Sequence, residues 1–169
     1  MQIHEYEYVT RAEYSPVQKD VEAIIRKAQR IMKEKYDFHF SYELIGSGKK
    51  HLITRKKNSN TGYDFDYNLI IDPLENGYRY VAKKVNELFR LAFNEACKDS
   101  RFKCPEDSTS VLTLKCVDRK NKRIKYSFDI AIIYYASDDL DDGYYYLKTG
   151  KTAGILLYLE NCRKMLIGN

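Results

Sequence analysis

Tyr63-Asp64-Phe65-Asp66-Tyr67-Asn68-Leu69-Ile70-Ile71 is the stretch that decides how this chain is read. Aromatic and branched apolar residues dominate it, Asn58 to Gly62 places turn formers ahead of it, and Asp72-Pro73 closes it. That pattern predicts a strand. Side chains alternate across a strand, so Asp64 and Asp66 share one face, roughly 6.5–7 Å apart, while Phe65 and Tyr67 point the other way. Each of two such carboxylates raises the pKa of the other unless a cation neutralises them. A divalent metal is the economical solution, because magnesium takes oxygen ligands and typically uses one or two carboxylates together with substrate phosphates. For the pair alone, a wet and exposed strand edge is the plain alternative.

Downstream, Val81, Val85, Leu88, Phe89, Ala92, Phe93 and Ala96 recur at helical spacing and predict an amphipathic helix ending near Cys97. Two strands follow, Thr109 to Val117 and Arg123 to Tyr135, joined by the polar turn Asp118 to Lys122 as a hairpin. The second strand holds a single acid in an apolar run: Phe128, Ile130 and Ile132 share one face, and Ser127, Asp129 and Ala131 the other. An acid among apolar neighbours is costly unless it is paired or bound to metal. An ion pair with Lys125 or Lys115 would also satisfy it. After Gly143, the reading is a strand from Tyr144 to Leu147, a turn at Thr149-Gly150 and a closing helix from Thr152 to Leu166, with a strand followed by a shorter helix as the alternative.

Upstream, Phe38 to Ile45 alternates as a strand and breaks into Gly46-Ser47-Gly48-Lys49-Lys50. Glycines allow close backbone approach, the Ser47 hydroxyl can donate, and Lys49 adds a point charge, so this turn is a candidate phosphate grip as well as a plain turn. It is not a Walker loop: Glu43 stands where that motif needs its first glycine, and Lys50 where it needs Ser or Thr. His51 to Thr54 is read as a short strand. Ahead of all this, Ser15 and Gln18 form a capping box with Pro16 at the first helical position, opening a helix whose apolar stripe runs from Val21 to Met32 and which ends near Tyr36.

The chain has 169 residues, 44% hydrophobic and 31% charged, which suits one folded domain over 1–169 rather than a disordered chain. No run of about 18 apolar residues and no basic-then-apolar leader is present, so a soluble, cytoplasmic protein with no membrane partner is expected. Cys97, Cys104, Cys116 and Cys162 lack zinc or redox spacing and read as reduced core thiols. The net charge of +5 suits a phosphate-bearing partner. Its basic residues gather at Lys49 to Lys57 and Arg119 to Lys125, while Asp138 to Asp142 forms an acidic turn.

Helix, strand, Gly-Ser, a hydrophobic DxD strand, helix, hairpin, then one Asp on an apolar strand is a restrictive order. It resembles the polymerase-beta-like nucleotidyltransferase superfamily, and within it the oligoadenylate-synthetase and cyclic-dinucleotide-synthase branch. The resemblance is carried by Leu44 to Ile71 and Lys125 to Ile133. It implies an α+β fold, a mixed β-sheet with flanking helices, in minimal form. It also implies that Asp64, Asp66 and Asp129 hold magnesium, or manganese in its place, and form the catalytic acids, while Gly46 and Ser47, with Lys49, bind the triphosphate. The loop between Ser47 and Asp64 departs from the pattern, since many members carry a short helix there. So does the short stretch after Asp129, where a protein partner could complete the site.

The function so implied is transfer of a nucleoside monophosphate from a nucleoside triphosphate to an acceptor hydroxyl on a nucleotide, RNA or protein, with release of pyrophosphate. An inactive nucleotide- or RNA-binding module of the same fold is the alternative. A two-metal nuclease and an interaction domain with solvated acids are more distant ones.

Overall fold

The computed structural model describes residues 5–72, 81–103, 106–107, 111–135 and 144–146. Along the chain it places β1 (Tyr6–Tyr8), α1 (Arg11–Tyr36), β2 (Phe40–Ile45), α2 (Gly46–Lys49), β3 (Thr54–Lys56), β4 (Tyr63–Ile71), α3 (Ala82–Ala96), β5 (Glu106–Asp107), β6 (Val111–Asp118), β7 (Arg123–Tyr135) and β8 (Tyr144–Tyr146). This is an α+β architecture. The larger sheet is ordered β2-β4-β7-β6-β5, with β8 on β7, and is mixed: β4 and β7 run parallel and the other pairs antiparallel. β1 and β3 form a separate two-stranded ribbon.

The sheet uses its two faces differently, as the period of two requires. Tyr63, Phe65, Tyr67, Leu69 and Ile71 of β4 are buried on the face that also carries Tyr126, Phe128, Ile130 and Ile132 of β7. Helices α1 and α3 cover that face. Tyr14 of α1 meets Phe65 edge-on with ring centroids 6.4 Å apart, and Phe89 of α3 lies 4.9 Å from Phe40. Phe65, Phe89, Phe93 and Phe128 are completely buried, and losing any one such ring costs on the order of 3–5 kcal/mol. Burial therefore commits Phe65 and Tyr67 inward and turns Asp64 and Asp66 outward.

Several expectations change in detail. Helix α1 begins at Arg11, not at Ser15: Thr10 caps it, accepting from the Glu13 amide at 3.3 Å, and Pro16 lies inside the helix. Tertiary contacts outweigh the local capping signal, because Tyr14 and Val17 are buried and Glu13 pairs with Arg55. At its other end Asp37 adopts a left-handed conformation (φ 49°), and its amide bonds to the Lys33 carbonyl. The short strand expected at His51–Thr54 is displaced to Thr54–Lys56, since His51 takes a positive φ of 56° and leaves the strand conformation. Its partner β1 carries no sequence signal of its own.

The Gly46–Lys49 turn is one turn of helix, so the missing short helix named as a departure from the family pattern is partly present. The strand expected at Tyr144–Leu147 is observed as Tyr144–Tyr146. The acidic turn Asp138–Asp142, the turn at Thr149-Gly150, the closing helix Thr152–Leu166, Cys104 and Cys162 lie outside the described residues. Cys97 and Cys116 are buried free thiols. No helix among the described residues is long and apolar enough to cross a membrane.

Candidate active site

The registers of three strand pairs build one row across the sheet. Ile45 of β2 pairs with Asp66 of β4, Asp66 pairs with Asp129 of β7, and Asp129 pairs with Thr113 of β6. Adjacent strands lie about 4.8 Å apart, so side chains from one row meet on the outward face. Asp64, two residues before Asp66, joins them there, and one carboxylate oxygen from each of Asp64, Asp66 and Asp129 lies within 4.8 Å of the others. The three acids expected from the sequence thus converge on one side of the sheet.

Among the described residues no lysine or arginine forms an ion pair with any of the three. The alternative pairing of Asp129 with Lys125 or Lys115 is not observed. Asp129 instead accepts a hydrogen bond from the Thr113 hydroxyl at 2.5 Å. Burial, and then the charge of Asp129, pushes the Asp64 carboxyl above the usual carboxylate range. Asp66 is pushed up by burial, then by Asp64 and Asp129. An all-oxygen acid set with no cation paired to it among the described residues, Asp64 exposed and Asp66 and Asp129 partly buried, is the donor chemistry that a hard divalent cation prefers.

Gly46 sits against this cluster. Its φ is +63°, and a Cβ there would lie 2.9 Å from Oδ2 of Asp66, so a side chain at this position would be strained and would displace the carboxylate. Ser47 follows on the same exposed turn, and Lys49 ends it, also exposed. Neither side chain makes a hydrogen bond or ion pair among the described residues. His51, where the turn ends, is held by Tyr14, with Nδ1 3.2 Å from the tyrosine oxygen.

Thr113 was not among the sequence candidates. Counting back from the tight turn that pairs Asp118 with Arg123 would set Leu112 opposite Asp129. A register shift between Cys116 and Val117 sets Thr113 there instead.

No family model matches the chain, and neither does any curated protein. Solved structures do match. The CD-NTase CdnG of Bradyrhizobium diazoefficiens, in complex with GTP, is similar over 82% of this chain and 39% of its own, at 15% identity and a TM-score of 0.55. The Vibrio cholerae DncV cyclic AMP-GMP synthase, in complex with a linear intermediate, is similar over 82% of this chain and 50% of its own, at 9% identity and a TM-score of 0.57. The chain therefore has the polymerase-beta-like nucleotidyltransferase fold, in the form shared with CdnG and DncV. It spans between 39% and 50% of the length of those two structures.

Proposed function

We propose that this chain is a metal-dependent nucleotidyltransferase, moving a nucleoside monophosphate from a nucleoside triphosphate to an acceptor hydroxyl and releasing pyrophosphate. The observation that carries the reading is the convergence of Asp64, Asp66 and Asp129 beside Gly46, within a fold shared with CdnG bound to GTP and DncV bound to a linear intermediate. Magnesium, or manganese in its place, would offset phosphate charge and acidify the acceptor hydroxyl when bound by these carboxylates.

The protein's own groups divide the remaining work. Gly46 lets the backbone pass close to Asp66, and the exposed Ser47 hydroxyl is free to donate to a phosphate oxygen, with Lys49 adding charge near the leaving pyrophosphate. Thr113 donates to Oδ1 of Asp129, which orients this carboxylate to ligate the metal nearer the acceptor and so to help lower the pKa of the attacking hydroxyl. Thr113→Val keeps the strand-forming shape and removes that donor. It should lower the rate of transfer or the metal affinity about 10–100-fold, as loss of a group that orients a metal ligand commonly does. Thr113→Ser should restore most of it, measured by pyrophosphate release against Mg²⁺ concentration.

The direct test incubates the protein with each of the four α-labelled ribonucleoside triphosphates and Mg²⁺. Pyrophosphate release by the wild type that Asp129→Ala abolishes is the expected result. Tight triphosphate binding with no release by the wild type would support the binding module instead.

A further inference from the structure

The basic segments Lys49–Lys57 and Arg119–Lys125 are distant in sequence, and apart from Lys49 the acid site uses neither of them. The structure brings their ends together at a cleft of about 660 Å³ where β4 and β7 begin. Arg55, Lys56, Lys57, Arg101, Arg123 and Lys125 line it, against two carboxylates, Glu7 and Glu13. Both carboxylates are taken by Arg55, with Glu7 at 2.5 Å, so Arg55 acts as a neutralised strut between the ribbon and α1. Lys57, Arg101, Arg123 and Lys125 form no ion pair with either cleft carboxylate.

Three of those four hold acids outside the cleft: Lys57 with Glu5 at 3.2 Å, Arg123 with Asp118 at 3.4 Å, and Arg101 with Asp20. The Lys57 and Arg101 pairs are exposed, and such pairs contribute about 0–1 kcal/mol each, so a phosphate can replace their acids at little cost. Asp118 is more covered and also accepts from Asn121, so Arg123 keeps its acid more firmly. Lys125 makes no ion pair among the described residues. The floor is Tyr63 and Tyr126, whose rings are 5.7 Å apart and almost wholly buried. Such rings offer no open face on which a base could stack. Burial, and then the charge of Glu13, pushes the Tyr63 hydroxyl up to about 12, so it keeps its proton. The loop after Lys57 is tied to the second basic segment at the wall, where the Ile124 amide bonds to the Asn60 carbonyl at 2.8 Å. None of Asp64, Asp66 and Asp129 lines this cleft.

We propose that the cleft binds a run of consecutive phosphate groups, without regard to base, at a place separate from the three acids. The phosphates could belong to an RNA backbone or to a free linear polyphosphate, and the experiment distinguishes them. A fluorescein-labelled single-stranded RNA of about 12 nucleotides is titrated by fluorescence anisotropy in EDTA, which removes any metal-dependent binding at the acids. Affinity should fall roughly 20–100-fold between about 50 and 200 mM salt, as three to five phosphate contacts to a single strand require. Lys57→Glu/Arg123→Glu/Lys125→Glu should weaken binding at least about tenfold, and Asp66→Asn should leave it unchanged. Should the triple variant melt early, Lys57→Ala and Lys125→Ala singly should each weaken binding about two- to fivefold.

Displacement of the RNA by tripolyphosphate at equal phosphate concentration would assign the cleft to free polyphosphate. Failure to displace it would assign the cleft to nucleic acid. Unchanged affinity in all the charge variants, no binding of either probe, or loss of binding in Asp66→Asn would overturn the proposal. It is independent of the transfer reaction: the cleft can bind RNA in a protein that releases no pyrophosphate, and the converse.

Discussion

Asp66→Asn is expected to abolish pyrophosphate release, by about a thousandfold or more, and at the same time to raise the melting temperature of the metal-free protein. Both effects come from one arrangement. Asp66 lies beside Asp129 in register and clusters with Asp64, half-buried, with no cation paired to it among the described residues. Burial pushes its carboxyl and that of Asp64 above the usual range, with the charge of Asp129 adding to Asp64 and the charges of Asp64 and Asp129 adding to Asp66. An acid whose folded pKa exceeds its unfolded one binds its proton more tightly when folded. Its ionisation therefore costs stability at every pH above the folded value, and the cost disappears as pH falls toward the unfolded value.

The asparagine variant carries no such cost. Its advantage over the wild type should be largest near about pH 7 and should close on acidification through the raised carboxylate range, on the order of 2–4 °C for each kcal/mol of relief. Mg²⁺ should stabilise the wild type more than the variant, since binding to the folded state alone adds stability. Thermal melts of both proteins at several pH values, with and without Mg²⁺, read all of this. A variant that melts below the wild type at neutral pH, or that gains as much from Mg²⁺, would remove the case for a strained metal-binding cluster.

Gly62→Ala should be the most destabilising single-methyl change in the described part of the chain. Replacing glycine by alanine ordinarily stabilises by about 0.4–1 kcal/mol through the unfolded state, provided the backbone conformation suits both. Gly62 has φ +65°, and a Cβ there would lie 2.2 Å from the Lys125 carbonyl oxygen and 2.6 Å from that of Ile124. Those atoms are backbone of β7 and cannot rotate aside. The next residue, Tyr63, opens the parallel pairing with Tyr126, so β4 and β7 must separate just where their register is set. A loss of roughly 3 kcal/mol or more is expected, read by urea unfolding. Exposed Thr61→Ala is the control and should cost little. A Gly62→Ala protein with a wild-type denaturation midpoint would show that the two strands do not approach as described.

Much of this site is legible locally because side-chain alternation is a local property. Tyr63 to Ile71 announces which face Asp64 and Asp66 take, and Tyr126 to Ile133 does the same for Asp129, because each strand buries one face against helices. The Gly-Ser break after Ile45 is likewise visible. Where local signals compete with distant contacts they mislead. Ser15 and Pro16 look like a helix start, yet Tyr14 packs on Phe65 and carries the helix back to Arg11. Thr113 was hidden by one register shift between Cys116 and Val117, an irregularity with no marker in the residues themselves. The ribbon of β1 and β3 is held by pairing across some fifty residues of sequence, which no window of periodicity reports.

The amino-acid sequence alone determined the types of the longer elements, the face each acid takes and the order of parts that resembles a nucleotidyltransferase. Tertiary structure alone decided that β4 lies parallel to β7 with Asp66 beside Asp129, that Gly46 closes on Asp66, and that two basic segments meet in one cleft. The physical reason is that alternation follows from each strand's own backbone, whereas register depends on non-local hydrogen bonds and on turns such as Gly62, whose geometry is settled only against the neighbouring strand.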